Sequence, residues 1–322
     1  MSEASLYPIP ILLIVFNRLE CLQQVFQRIR EVRPQRLYVA ADGPRADRKG
    51  EAERCAAVRD YILKHIDWEC QVETLFREQN LGCGKAVSSA ISWFFSQEEL
   101  GVILEDDCLV DRSFFLYAAE LLERFRNDER IGVISALNFL SGSIRTRHSY
   151  YFSRVDYGLW GWASWRRVWR DFDLDVKLFP ELLANNELFC CQGERERWVL
   201  TTSLNGLLEL GDYNTWDYQL AFACQVNSRL SIVPSVNLVE NLGVTGEATH
   251  TVQSEIGRRR LVAESMSFPL RHPPYIMSHS EHDRKIVREI FPQPPCLLRR
   301  WLSRLARRWA PKWLWQLRNR LR

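Results

Sequence analysis

The segment GVILEDDCLV (residues 101–110) places an apolar run directly before three consecutive acids. Branched apolar residues bounded by polar ones predict a strand that is buried in a parallel sheet. Glu105, Asp106 and Asp107 then lie at a strand end, where they repel one another unless a cation, positive neighbours or water is present. We therefore expect this strand end to be part of a site.

The N-terminal part of the chain alternates apolar runs with amphipathic stretches. The runs IPILLIVF, RLYVAAD, CQVETLF, GVILED and IGVISAL predict strands between residues 9 and 137. Helical periodicity separates them at 19–30, 51–65, 85–95 and 114–125. This alternation predicts a Rossmann-like α/β fold with a mostly parallel sheet flanked by helices. Ligands of such sheets bind beyond the carboxyl ends of the strands.

Polar clusters follow three of the predicted strands: FNR at 16–18, ADGPR at 41–45 and EDD at 105–107. Each cluster alone is weak, and Asp42 in Asp-Gly-Pro is equally compatible with an ordinary turn. Their recurrence at one edge of the sheet predicts a binding site there.

The composition describes a large core and a separate basic tail. The chain has 322 residues, 46% hydrophobic and 26% charged, which suits one large domain or two small ones. Residues 297–322 hold nine Arg and Lys and no acid, which leaves 34 basic against 40 acidic residues elsewhere. A basic tail on an acidic body does not indicate nucleic-acid binding. We expect a domain over 1–290, with halves 8–140 and 141–290, and a tail over 291–322.

The tail predicts an amphipathic helix. Its apolar residues at 298, 301, 302, 305, 309, 313 and 317 follow helical spacing, with Arg and Lys between them. Such a helix with tryptophans is typical of an anionic membrane surface, although a partner-binding or domain-capping helix is an alternative. The nine cysteines include no C-x-x-C pair, and the start of the chain lacks a basic signal-peptide region. These features predict a cytoplasmic protein with reduced thiols.

The segment NLGCGKAV fits neither common nucleotide motif. A third glycine is missing for the dinucleotide fingerprint, and Gln79 and Ala86 replace the residues that a P-loop requires. The remaining feature is a glycine-rich helix entry with Lys85 in its first turn. Its N–H groups can meet a phosphate or a sugar hydroxyl, or can simply cap the helix.

The acid triplet predicts a hard-cation site. Mg²⁺ and Mn²⁺ are commonly held by one or two carboxylates together with substrate phosphates and water. The alternative is a solvated acidic turn that caps the helix beginning near Arg112.

The order ILLIVFNR, YVAADGPR, REQNLG, GVILEDD resembles the nucleotide-sugar half of glycosyltransferases with the GT-A fold. The similarity is greatest to the inverting N-acetylglucosaminyltransferase I type and to bacterial enzymes that share its core. It covers about residues 8–250, with EDD in place of the family's DxD motif. Asn17 and Arg18 correspond to the point where the family's first strand meets the nucleotide.

The resemblance implies roles for four acids. Asp42 corresponds to the aspartate that contacts the uracil base, and Glu105 and Asp106 to acids near the ribose and base. Asp107 corresponds to the ligand of the Mn²⁺ or Mg²⁺ ion that also fixes the donor diphosphate.

The segment NTWDYQL resembles the family's Trp-Asp-Asp segment, whose first aspartate deprotonates the acceptor hydroxyl. Asp217 takes that position, and Tyr218 replaces the second aspartate. An aspartate after a tryptophan is otherwise an ordinary N-cap. A base on one face of the sugar and a metal on the other imply displacement with inversion.

Two further stretches carry candidate binding residues. The aromatic run YGLWGWASW offers Tyr157, Trp160, Trp162 and Trp165 as a platform for a sugar or acceptor, to which we add Trp216, although core packing is the alternative. In GVTGEATHT, His250 is a candidate to reach the metal or diphosphate when the loop closes, or it is a surface histidine.

Together these features predict a metal-dependent inverting glycosyltransferase that uses a nucleotide-diphospho-sugar, with uridine expected as the nucleoside. The expected acceptor is a glycan or a lipid-linked sugar at the cytoplasmic face of the bacterial inner membrane. Two alternatives stay open: a sugar-nucleotide pyrophosphorylase, and a non-catalytic membrane-associated scaffold with a degenerate transferase core.

Overall fold

The computed structural model describes residues 6–210, 214–244 and 261–294. His250 and most of the predicted tail therefore lie outside the described residues. The strands, in chain order, are β1 (Ile11–Val15), β2 (Arg36–Ala41), β3 (Gln71–Phe76), β4 (Leu100–Glu105), β5 (Cys108–Val110), β6 (Ile131–Ser135), β7 (Tyr150–Ser153), β8 (Trp162–Trp165), β9 (Leu230–Pro234) and β10 (Val239–Asn241).

Helices flank these strands and include the four that the periodicity predicts. They are α1 (Leu19–Val32), α2 (Glu51–His65), α3 (Cys83–Gln97), α4 (Arg112–Arg124), α5 (Arg166–Trp169), α6 (Leu178–Ala184), α7 (Glu194–Leu210), α8 (Asp217–Val226) and α9 (Ser280–Glu289), with one 3₁₀ turn at Leu242–Val244. Within the described ranges, no helix is both long enough and apolar enough to cross a bilayer.

Eight strands form one sheet in the order β3-β2-β1-β4-β8-β6-β9-β7. The pairs β2–β3, β1–β2, β1–β4 and β6–β9 are parallel. Strand β8 is antiparallel to both β4 and β6, and β7 is antiparallel to β9. Six strands therefore run one way, and the predicted mostly parallel, Rossmann-like α/β sheet is confirmed.

Burial on both faces explains why the central strands are almost wholly apolar. All five residues of β1 are buried, as expected for a strand covered by helices on each side. Helix α1 packs through Leu22, Val25, Phe26 and Ile29, which recur at the three- and four-residue spacing of a helix face. Helix α3 approaches β4 closely, because a Cβ added at Gly101 would lie 2.3 Å from the Phe94 ring.

The aromatic segment after residue 145 forms strands that were not predicted. Strand β7 becomes an edge of the main sheet, and β8 lies near its centre, between β4 and β6. The two halves of the chain thus share a single sheet rather than forming separate ones.

A second, two-stranded sheet pairs β5 with β10, with Asn241 opposite Cys108. The Leu242 N–H continues this contact by donating to the Asp107 carbonyl at 2.8 Å. The 3₁₀ turn is therefore held directly beside the acid triplet.

Candidate functional site

The acid triplet lies where β4 ends, at the carboxyl edge of the parallel strands. Asp106 is 7% exposed, and its Oδ2 accepts a hydrogen bond from the Phe16 N–H at 3.0 Å. Asp107 forms an ion pair with Arg18, with 2.6 Å between Oδ2 and Nη1. Strand pairing between β1 and β4 thus brings the FNR and EDD clusters together, as their positions predict.

The triplet does not cap helix α4. That role belongs to Asp111, whose Oδ1 accepts from the Ser113 N–H at 2.9 Å. The three acids precede strand β5 instead, so the alternative interpretation of a helix-capping acidic turn is wrong.

The electrostatics of the triplet show an excess of negative charge. Burial, followed by the charges of Asp107, Asp106 and Asp217, raises the pKa of Glu105, whereas Arg18 lowers it. Burial and Asp107 also raise the pKa of Asp106, against the opposing effects of Arg18 and the Phe16 N–H. Three carboxylates and one guanidinium thus act on Glu105, which leaves a site that favours binding of a cation or a proton.

Asp217 begins helix α8 and is exposed. The N-cap residue is Trp216, so Asp217 is not the N-cap that its sequence context also allowed. Its Oδ1 accepts from the Thr215 hydroxyl and, at 2.9 Å, from the Tyr218 N–H. Among the described residues, Oδ2 has no hydrogen-bond donor and remains available to a ligand.

The start of helix α3 lies near the same acids. Desolvation of the Cys83 thiol, although part of this residue is exposed, and then the charges of Glu105, Asp217 and Asp42 raise its pKa. Lys85 is exposed in the first turn of this helix, which has no side-chain cap at Gly82. The ends of β2 and β4 and the starts of α3 and α8 therefore lie close enough for their charges to interact.

Asp42 ties the end of β2 to the entry of α3. Its carboxylate accepts from the Asn80 side chain at 3.0 Å, from the Leu81 N–H at 3.0 and 3.1 Å and from the Gly82 N–H at 3.1 Å. These donors occupy both oxygens, so in this structure Asp42 holds the loop before α3 in place.

A second polar network lies beside the end of β1. Glu51 is fully buried and accepts from the Arg45 guanidinium, from the Arg45 N–H at 2.7 Å and from the Asn17 side chain at 3.0 Å. The Arg45 guanidinium also lies 5.6 Å from the centroid of the Phe16 ring. The hydrogen bond from Arg45, opposed by desolvation, lowers the pKa of Glu51. The buried, negatively charged Glu51 carboxylate therefore fixes the side chains of Arg45 and Asn17.

Sequence patterns did not single out Glu51 or Asn80. An acid in the first turn of a helix is normally a solvated, dipole-favoured residue, and nothing in the spacing distinguishes a buried one. The segment ADGPR contains Arg45 and Asp42, the partners of these two residues, and REQNLG contains Asn80 itself. These two segments were the only sequence signal for the network.

The aromatic platform requires correction. Trp162 and Trp165 are 1% and 2% exposed, because both lie on the central strand β8 and pack in the core. Trp216 is 5% exposed and stacks on Trp162. None of the three offers an accessible ring face to a sugar.

Two members of the predicted platform are partly exposed. Tyr157 donates its hydroxyl to the Arg229 carbonyl at 2.6 Å. Trp160 packs edge-on against Phe139, with 6.0 Å between ring centroids. Within the described part of the chain no hydrogen bond holds the Trp160 indole, so this partly exposed ring is the remaining candidate of the platform.

The residues at the triplet fit a divalent cation only together with a ligand. Among the described residues, Asp107 Oδ1 accepts a hydrogen bond from the Cys108 thiol alone, at 3.6 Å, and none donates a hydrogen bond to the Glu105 carboxylate. Two carboxylates match the protein share of a Mg²⁺ or Mn²⁺ site that is completed by substrate phosphates. Across the described ranges, no three His, Cys, Asp or Glu side chains form a ready-made metal site.

No family model matches this chain, and no curated protein matches it significantly. Among solved structures, it is similar to HddC from Yersinia pseudotuberculosis, with 10% identity, a TM-score of 0.32 and coverage of 54% of this chain and 86% of HddC. It is also similar to a cytidylyltransferase from Leptospira borgpetersenii, with 13% identity, a TM-score of 0.31 and coverage of 69% and 95%.

A third similar structure is the 4-diphosphocytidyl-2C-methyl-D-erythritol synthase from Anaerococcus prevotii. The identity is 10%, the TM-score is 0.30, and 56% of this chain and 78% of that chain are covered. At these TM-scores the likeness is too distant to assign a reaction to this chain.

Proposed function

We propose that this protein is an inverting glycosyltransferase of the GT-A type that uses a nucleoside diphosphate sugar, with UDP as the carrier. The convergence of Asp217 with the acid triplet carries this proposal. The Asp217 carboxylate at the start of α8 is exposed, and among the described residues its Oδ2 has no hydrogen-bond donor. Its charge raises the pKa of Glu105, whereas Arg18, which pairs with Asp107, lowers it. This proximity supports a site that combines a proton acceptor with a cation-binding group.

Asp217 acts as the general base. A sugar hydroxyl is a poor nucleophile, and a positioned carboxylate that accepts its proton as the bond forms contributes about 10²- to 10⁴-fold in rate. The Thr215 hydroxyl and the Tyr218 N–H hold Oδ1, so Oδ2 takes the proton. Attack from this side expels the diphosphate on the opposite side of the anomeric carbon and inverts its configuration.

The donor lies across the carboxyl ends of β1, β2 and β4. Asn17 and Arg45, fixed by Glu51, face the nucleoside, and Arg18 meets the anionic diphosphate. Asp107, with Glu105 near it, would hold Mn²⁺ or Mg²⁺, which when bound offsets the charge that develops on the leaving diphosphate.

The acceptor is a glycan or a lipid-linked sugar at the cytoplasmic face of the inner membrane. Trp160 is the aromatic residue assigned to stack on it. The basic amphipathic sequence of residues 297–322 associates with anionic lipid, because each Lys or Arg near such a surface contributes about 1 kcal/mol.

A donor screen tests the reaction. Thermal unfolding is followed with UDP-, GDP-, CDP- and dTDP-linked sugars, each with and without Mn²⁺. A UDP-sugar with Mn²⁺ is expected to raise the melting temperature by about 5 °C at saturation. Turnover is then measured by release of UDP, and NMR of the product reports its anomeric configuration.

The outcomes separate the alternatives. Release of UDP with an inverted product supports the proposal, and a retained configuration rejects Asp217 as base. Formation of UTP from a UDP-sugar and pyrophosphate identifies a pyrophosphorylase instead. Donor binding without any turnover indicates a scaffold.

Membrane association is tested separately with the full-length chain and vesicles that contain phosphatidylglycerol. Replacing Arg304, Arg307 and Arg308 with Glu is expected to release the protein from these vesicles. Replacing three exposed basic residues of the body, such as Lys49, with Glu makes the same change in net charge and serves as the control. Unchanged binding of the Glu variant contradicts a role for the tail.

A further inference from the structure

We propose that Arg18 competes with the divalent cation for Asp107, so that the cation binds tightly only after the donor diphosphate has drawn Arg18 away. This inference rests on the proposed function and concerns the order in which its ligands bind. Arg18 is then a positioning residue that couples two ligands.

The ion pair has the geometry of an exchangeable contact. A single guanidinium nitrogen of Arg18, Nη1, contacts Asp107 Oδ2 at 2.6 Å, rather than the two-nitrogen fork that makes such pairs strongest. The Arg18 side chain is 32% exposed. Its backbone is fixed at the start of α1, where the Arg18 carbonyl accepts from the Leu22 N–H at 3.0 Å. The side chain can therefore reorient while its anchor stays in place.

Gly243 restricts access to the same carboxylate oxygen. A Cβ added at Gly243 would lie 2.2 Å from Asp107 Oδ2 and 2.9 Å from Arg18 Nη1. The glycine backbone therefore packs directly on the ion pair, and Oδ2 is enclosed by Arg18 on one side and Gly243 on another. A divalent cation that binds Asp107 through Oδ2 therefore has to displace Arg18 from this oxygen.

Competition follows from charge as well as space. Arg18 and a divalent cation are both attracted to Asp107 and repel each other, so each weakens the other's binding. A diphosphate offers Arg18 an alternative anion with the multi-oxygen geometry that guanidinium groups bind well. Binding of the diphosphate then favours binding of the cation, and by thermodynamic linkage the converse holds to the same degree.

The test measures Mn²⁺ binding rather than activity. Isothermal titration calorimetry measures the Mn²⁺ affinity of the wild type and of Arg18→Gln, first without and then with UDP. The fit with UDP includes formation of the Mn²⁺–UDP complex in solution. Arg18→Gln is expected to bind Mn²⁺ alone about tenfold more tightly than the wild type. UDP should strengthen Mn²⁺ binding to the wild type more than to the variant.

Two further variants complete the design. Arg30→Gln removes the same charge from the same helix, about 18 Å away along its axis, and should leave Mn²⁺ affinity unchanged. Arg18→Lys keeps the positive charge, and its Mn²⁺ affinity should stay within about threefold of the wild type. The lysine variant tests the inference even if Arg18→Gln is unstable, since a large gain in affinity with the charge retained contradicts competition.

The results separate this inference from the proposed function. Equal Mn²⁺ affinity of the wild type and Arg18→Gln, with UDP and Mn²⁺ still binding together, rejects the competition alone. Absence of Mn²⁺ binding to every variant, with and without UDP, overturns both the competition and the metal dependence.

Discussion

The indole rings of Trp162 and Trp216 stack with 5.7 Å between their centroids and 26° between their planes. Trp162 belongs to the central strand β8, and Trp216 immediately precedes Asp217 at the start of α8. The contact therefore links the middle of the sheet to the proposed base. Two tryptophans that the sequence suggested as a sugar platform serve instead to position a helix.

Trp162→Ala is expected to destabilise the protein by about 3–5 kcal/mol, because it leaves a large cavity in the core. Urea unfolding measures this loss. Trp160→Ala, at a partly exposed position, should cost much less stability and should raise the acceptor KM. If Trp162→Ala is as stable as the wild type and only its acceptor binding is impaired, Trp162 belongs to the acceptor platform.

Asp217→Asn is expected to lower kcat by about 10²- to 10⁴-fold, because the amide cannot accept the proton of the acceptor hydroxyl. The affinity for UDP should stay within about twofold, since the substitution spares the residues proposed to bind the donor. Steady-state kinetics and UDP titration measure the two effects. Asp60→Asn, on the exposed surface of α2, is the matched control. A variant with wild-type kcat would exclude Asp217 as the base.

Glu51→Gln keeps the shape of the side chain but removes the buried charge that fixes Arg45 and Asn17. We expect the Kd for UDP to rise about tenfold, because both side chains must be ordered on binding instead of beforehand. The acceptor KM should change little. Titration with UDP measures the effect, and Glu53→Gln, an exposed residue in the same helical turn, serves as control. Unchanged UDP affinity would show that this network only supports the fold.

His282 predicts a loss of stability in alkaline solution. The side chain is fully buried, with Nε2 3.3 Å from Asp156 Oδ2 and Nδ1 3.5 Å from Asp283 Oδ1. Burial opposes its charged form, but the contacts to the two carboxylates outweigh burial and raise its pKa to about 9.

Because this folded-state pKa lies above the ordinary value of 6.5, the stabilisation is complete below pH 6.5 and is lost as the pH rises through 9. The free energy of unfolding should fall by about 3 kcal/mol over that window. Urea titrations at several pH values measure this change. In His282→Gln the corresponding slope should disappear, whereas His65→Gln should retain it. A slope that persists in His282→Gln would assign the pH dependence to other groups.

Local sequence signals predicted the parallel half of the sheet well. Strands β1 to β4 and β6 are short apolar runs between amphipathic helices, and their pattern depends on residues close in sequence. The same pattern predicted a site at the carboxyl edge of the sheet. It places the FNR and EDD clusters, and with them Arg18 and Asp107, at that edge. Helix α2 even begins and ends where its periodicity predicts, at Glu51 and His65.

The remaining features depend on contacts between distant parts of the chain. Strand β8 forms because residues 162–165 pair with both β4 and β6, and no local pattern reveals those partners. Tryptophan favours both cores and sugar-binding surfaces, so its identity alone did not distinguish Trp162 from Trp160. The buried state of Glu51 likewise depends on Arg45 and Asn17, which approach only after folding.

The insertion of β8 between β4 and β6 has a consequence for synthesis of the chain. In a nascent chain that has reached residue 140, one edge of β4 can pair with β1. The other edge, along Leu100–Ile103, still lacks its partner β8. Such an open, apolar edge readily recruits a second chain. The surroundings of the acid triplet are thus built in stages, first as residues 162–165 pair with β4 and later as Asp217 and residues 239–243 emerge. A fragment that ends near residue 140 should aggregate during expression.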